Sequence, residues 1–308
     1  TCLFRSLQTR PMRGLVFAPR ACRHAASRSE GTPGGTHVSR FKLTSLDPLR
    51  AGCGVTLTGI DQPPVLSALR GFSAPVMLTT DAPQKDRYVQ LAGDPDLFNR
   101  WESGQDLAQA LILARASGRP DEVGEERFAE AMGRALNDQA AEPAFKALLL
   151  SLPSENDLAL ARQPADPTAI HEAREALKLR LSLHLNETLK RLHTGLQDGG
   201  AFSPDAASAG RRALRNAALD LLAANPTSEA SSLAEGHYRA AGNMTDAMGG
   251  LSALMSVGGP GYETALADFF DRWKDEALVL DKWFALQARD RIRSRRYSGR
   301  AGARETRA

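Results

Sequence analysis

The stretch of this chain closest to a catalytic motif is His171-Glu172-Ala173-Arg174-Glu175. A zinc peptidase helix needs His-Glu-x-x-His, because two imidazoles one turn apart grip a single metal ion while the glutamate activates its water. Position 175 is Glu, so the second imidazole is missing. His171 and Glu175 share a helix face, but no third ligand stands at a matching position. The stretch is read as a first helical turn with acidic residues near its positive dipole end. His184 and His193 are nine residues apart, which sets them on opposite sides of one helix, so they cannot share a ligand there. They are read as structural or solvated, as is His237.

Other chemistries leave no better trace. The three cysteines, Cys2, Cys22 and Cys53, form no CxxC pair, so neither a zinc ribbon nor a disulfide scaffold is supported. There is no Gly-x-Ser-x-Gly elbow, P-loop or Gly-x-Gly-x-x-Gly run. Gly258-Gly259-Pro260-Gly261 lacks both a lysine and a preceding strand, and reads as a turn between helices. Trp283 and Phe284 read as core between packed helices rather than a ligand wall. The sequence therefore assigns no catalytic, cofactor-binding or metal-ligating residue.

The elements that would position any site are mostly helical. Aromatic residues make up only 6% of the chain while Ala and Leu abound, which favours helix over sheet. Asp94-Pro95 is an N-cap and first turn, followed by Leu97, Trp101, Leu107, Leu111 and Ala114 near helical spacing. Further helices are expected over 125–136 and 142–150. Asp166-Pro167 opens the longest, about 167–194, with a stripe of Ile170, Ala173, Leu177, Leu181, Leu185, Leu189 and Leu192. Five more follow at 211–224, 228–241, 244–257, 261–275 and 277–289. The first, third and fifth of these start 33 residues apart, at 211, 244 and 277, the period of a helix-pair solenoid. Before the helices, 55–58 and 74–80 read as strands around the Gln62-Pro63-Pro64 turn.

Charge divides the chain in the same places. Basic and acidic residues number 9 and 2 in 1–54, 22 and 32 in 55–288, and 8 and 2 in 289–308, giving +7, −10 and +6. The acidic body would repel phosphate, which argues against nucleic-acid binding. No apolar run reaches roughly 18 residues, so a membrane span is not expected. The expected organisation is a disordered or foreign leader at 1–54, the last strands of a β-sandwich at 55–90, an α-superhelix at 91–289 and a basic disordered tail at 290–308.

Several stretches resemble the C-terminal part of bacterial aminopeptidase N. They are Leu69-Arg70-Gly71-Phe72-Ser73-Ala74-Pro75-Val76, Asp166-Pro167-Thr168-Ala169-Ile170-His171-Glu172-Ala173-Arg174-Glu175, Leu214-Arg215-Asn216-Ala217, Asn243-Met244-Thr245-Asp246-Ala247 and Asp281-Lys282-Trp283-Phe284-Ala285-Leu286-Gln287-Ala288. The resemblance covers about 55–288. It implies a mainly α chain, a superhelix preceded by the remnant of an immunoglobulin-like sandwich, cut from a cytoplasmic zinc metallopeptidase that removes N-terminal residues from peptides. In that family one Zn²⁺ is held by His-Glu-x-x-His plus a downstream Glu, and Gly-Ala-Met-Glu-Asn holds the free amine. Neither motif occurs here, so no zinc or amine ligand transfers to any position of this chain. The implied partners are a separate catalytic domain and, through it, peptides. The alternative is a free-standing helical-repeat module that binds peptide or protein.

Overall fold

The computed structural model describes residues 65–72, 83–197 and 202–289, together with the backbone of four short strands. The chain divides into two compact units, Thr1–Ser103 and Gly104–Ala308.

In the first unit the strands form two antiparallel pairs. β1 (Arg10–Pro11) pairs with β4 (Val76–Met77), and β2 (Ala26–Arg28) with β3 (Phe41–Leu43). The expected strand at 55–58 lies outside the described residues, and of 74–80 only Val76–Met77 is described as strand. The partner of that strand is Arg10–Pro11, within the segment expected to be a leader. Residues 84–90, expected to belong to the sandwich, are instead helical: α1 spans Gln84–Gly93. Pro83 fixes its entry, and Leu91 is its one fully buried side chain. With so few apolar residues, the segment carries almost no periodic signal.

Side chains tie residues 65–71 to α1 and to the start of α2 (Leu97–Ala116). Gln90 Nε2 donates to the Leu66 carbonyl at 2.8 Å, and Asn99 Nδ2 to the Ala68 carbonyl at 2.8 Å. The Gly71 amide donates to Asp96 at 2.9 Å. Asp96 also accepts from the Asn99 amide at 3.0 Å, so it caps α2.

The second unit is a succession of capped helices. In α3 (Glu122–Asn137) the cap is Asp121, which accepts from the Gly124 amide. α4 (Pro143–Leu150) begins on its proline. A short helix that the periodicity does not announce, α5 (Glu155–Leu160), is capped by Ser154. Asp166 caps α6 (Pro167–His184) by accepting from the Thr168 and Ala169 amides, both at 3.0 Å, as the Asp-Pro pair leads one to expect.

The long helix expected over 167–194 is two. Leu185, at φ −99° and ψ 9°, separates α6 from α7 (Asn186–Gly195). Backbone bonds from Leu185 to Leu181 and from Leu189 to Leu185, at 2.9 and 2.8 Å, bridge the kink. The apolar stripe therefore passes through it unbroken and conceals it. Beyond the kink the buried positions are Leu189 and His193, the latter 5% exposed, rather than the expected Leu192.

The remaining helices are α8 (Ala206–Leu222), α9 (Ser228–Arg239), α10 (Met244–Val257), α11 (Pro260–Trp273) and a run over 277–289, termed α12. α8 starts earlier than its periodicity suggests because Asp205 caps it. The alternate helices thus begin at 206, 244 and 277, which stretches the first interval from 33 to 38 residues. Gly258 and Gly259, with φ of 78° and 89°, make the turn between α10 and α11 in a region L side chains avoid. α8 packs on α4, α7 and α10, and α9 packs on α10 and α11. Leu219, Tyr238, Leu251, Leu254, Phe269 and Leu286 meet in one core. Trp283 packs against that core and donates to the Leu266 carbonyl at 3.1 Å, as expected of a packing residue. Phe284 departs from expectation, being 59% exposed and in a T-shaped contact with Trp283.

Candidate functional site

His171 is the fifth residue of α6, just past a first turn that holds no acidic residue, and its Nδ1 is 2.6 Å from Glu155 of α5. Glu175 meets Arg174 at 3.5 Å, and Arg174 itself donates to the Pro153 carbonyl at 2.9 Å. These contacts fasten α6 to the segment that carries α5. Among the described residues no three His, Cys, Asp or Glu side chains are grouped so as to hold a metal ion. The cysteines lie outside those residues. His171 has a single acidic neighbour rather than a ligand set, so this site does not fit the zinc of the family the sequence resembles.

A denser polar cluster sits where α7, α8, α9 and α10 converge. Its centre is Asp246, in the first turn of α10. Asn243 caps that helix, accepting from the Asp246 amide at 2.9 Å and returning a bond from Nδ2 to Oδ2 at 3.0 Å. Asn216 of α8 donates to Oδ1 at 3.0 Å. Arg215 of α8 reaches Oδ2 at 3.8 Å and donates from Nε to the His193 carbonyl at 3.3 Å. Gly249 lies so close to Asn216 that a Cβ there would strike the amide oxygen.

Two imidazoles complete the cluster. His193 Nε2 and His237 Nδ1 are 3.0 Å apart and both rings are buried. His237 Nε2 is 3.9 Å from Asp246 Oδ1, beyond hydrogen-bond reach. Burial, with the nearby Arg215 charge, pushes the pKa of both rings down to about 4. Both are therefore neutral near pH 7. His184 ends α6 and His193 lies on α7, so the two do not share the single helix expected of them, and the sequence did not pair His193 with His237, 44 positions away. A signal existed nonetheless: Arg215-Asn216 and Asn243 with Asp246 both belong to the stretches that carry the family resemblance.

A second buried charge joins α2, α3 and α6. The Glu125 carboxylate, 0% exposed, receives two hydrogen bonds from Arg115, both at 2.8 Å, and forms an ion pair with Arg180 at 2.8 Å. Arg115 and Arg180 also border an open groove of about 530 Å³ with Ala176, Leu179, Leu183 and His184. Both clusters hold helices together.

Comparison with known proteins agrees with this structural reading. Residues 84–296 match the family model described as a domain of unknown function (DUF3458_C) with ARM repeats. The aminopeptidase N of Caulobacter vibrioides is 61% identical over 231 residues, 75% of this chain and 27% of that protein. That of Escherichia coli is 32% identical over 229 residues, 73% of this chain and 26% of that protein. A crystal structure of Legionella pneumophila aminopeptidase A in complex with aspartic acid superposes with a TM-score of 0.67 at 25% identity, covering 82% of this chain and 30% of that one. The chain thus spans about a quarter of the length of the curated relatives it matches. The mainly α, helix-repeat architecture and the resemblance to the C-terminal part of bacterial aminopeptidase N both hold, and the chain belongs to the DUF3458_C family of ARM-repeat domains.

Proposed function

We propose that this chain is the non-catalytic helical-repeat part of an aminopeptidase N that removes N-terminal residues from peptides. The 61% identity to a quarter of the Caulobacter enzyme carries the reading. Chemistry would reside in a separate catalytic domain with the zinc site of that family, and the repeats would wall the chamber that admits short peptides. The site geometry supports this division of labour: the polar side chains that converge here are spent on helix-to-helix bonds. The whole enzyme is proposed to work in the cytoplasm. No described helix is long and apolar enough to cross a membrane.

Two measurements test the reading. The full chain, supplied with Zn²⁺, should not turn over a chromogenic aminoacyl substrate; turnover abolished by a chelator would overturn the claim that it lacks chemistry. Co-expressed with the remaining three-quarters of the Caulobacter relative, it should raise aminopeptidase activity above that of the remainder alone. No gain, with the chain folded and present, would favour a free-standing peptide- or protein-binding module.

A further inference from the structure

The His193–His237 contact is unusual in what surrounds it. One ring must donate the proton shared across 3.0 Å and the other must accept it. The outer nitrogens, His193 Nδ1 and His237 Nε2, have no hydrogen-bond partner among the described residues. The charged groups facing the pair are Arg215 from α8 and Asp246 from α10. Another ionic contact joins α7 to α9, between Lys190 and Glu229 at 2.7 Å. The pair spans the seam between α7 and α9, so its state bears directly on whether those helices stay together.

Protonation changes the contact in two steps. A first added proton goes to whichever outer nitrogen is bare, His193 Nδ1 or His237 Nε2, and the bond between the rings survives it. A second leaves two N–H donors facing each other at 3.0 Å, with two imidazolium charges beside a guanidinium and a single carboxylate to offset them. No rotation restores a bond, because neither ring then has an accepting nitrogen.

We propose that His193 and His237 form an acid-operated lock: paired and neutral they hold α7 against α9, and doubly protonated they force this seam open while the rest of the helical stack stays folded. The sign follows from linkage. Both rings bind protons more weakly folded, near 4, than exposed, near 6.5. Acidification therefore favours the open form, starting as pH falls below 6.5 and levelling off below about 4. Each imidazole multiplies the open population about tenfold per pH unit across that window.

The test is amide hydrogen exchange on the full chain at pH 7.0, 5.5 and 4.5, read as protection factors. Between pH 5.5 and 4.5, protection in α7 and α9 should fall about a hundredfold, while α3 and α6 change far less. In the double variant His193→Asn, His237→Gln that extra fall should vanish. Equal loss of protection in all helices, or the same fall in the variant, would overturn the lock. Should the variant not fold, imidazole NMR of the unaltered chain decides. Both rings titrating well below 6.5, in step with the loss of protection, support the lock; a ring titrating at or above 6.5, or titrating without loss of protection, overturns it.

Discussion

At the residue scale, Asp246 and Glu125 differ from the surface charges because water cannot replace their partners. Asp246 accepts bonds from Asn216 and Asn243 and lies 3.8 Å from Arg215, with only 9% of its side chain exposed. Asp246→Ala would remove the cap partner and leave the Arg215 charge buried and uncompensated, a loss of about 3–5 kcal/mol by urea denaturation. Asp246→Asn keeps the shape and one acceptor, so the loss should be smaller, about 1–3 kcal/mol. Glu125→Gln should cost about 3 kcal/mol, toward the low end for a broken buried pair because water still reaches Arg180, 36% exposed. By contrast, Asp268 and Arg272 pair at 3.4 Å with both side chains about half exposed, and separating them by Arg272→Ala should cost under about 1 kcal/mol. If Glu125→Gln proved as mild as Arg272→Ala, the picture of Glu125 as a buried tie would fail. The long-range partnerships among these are not legible in sequence. Glu125 and Arg180 are 55 positions apart, and their pairing depends on how α3 and α6 happen to stack.

At the element scale, legibility follows the strength of local rules. The Asp166-Pro167 start of α6 could be read because an N-cap followed by proline has a local cause. α10 coincides with its expected 244–257 bounds, since Asn243 and the Gly258-Gly259 turn mark both ends. α1 and α5 were not foreseen, because each is short and buries a single leucine, Leu91 and Leu158. The kink at Leu185 was hidden by a stripe that crosses it without a change of spacing. Two substitutions test the local causes. Asp166→Ala removes the acceptor of two amides and should cost about 1 kcal/mol in thermal or urea unfolding. Gly250→Val should cost more, about 1–3 kcal/mol, because a Cβ at this position would come within 2.9 Å of the Tyr238 backbone, and α9 and α10 would have to separate.

At the scale of the whole molecule, a repeat stack is stabilised interface by interface, so its members need not be equally stable. α8 occupies a central place, covered by α4, α7 and α10. Leu214, Ala218, Leu219 and Leu221 on it are at most 1% exposed. α12 stands at the other extreme. Leu286 is buried, yet Leu278 and Phe284 remain 81% and 59% exposed, and Trp283 is only half-sheltered against Phe270 and the Leu266 carbonyl. Local opening should therefore start at α12, since unfolding it gives up little buried apolar surface. Hydrogen exchange followed by mass spectrometry at pH 7 should show peptides from 277–289 exchanging at least about tenfold faster than peptides from 206–222. Simultaneous exchange of both would mean that this unit opens as one cooperative block, and an account of its stability as a sum of neighbouring interfaces would have to be given up.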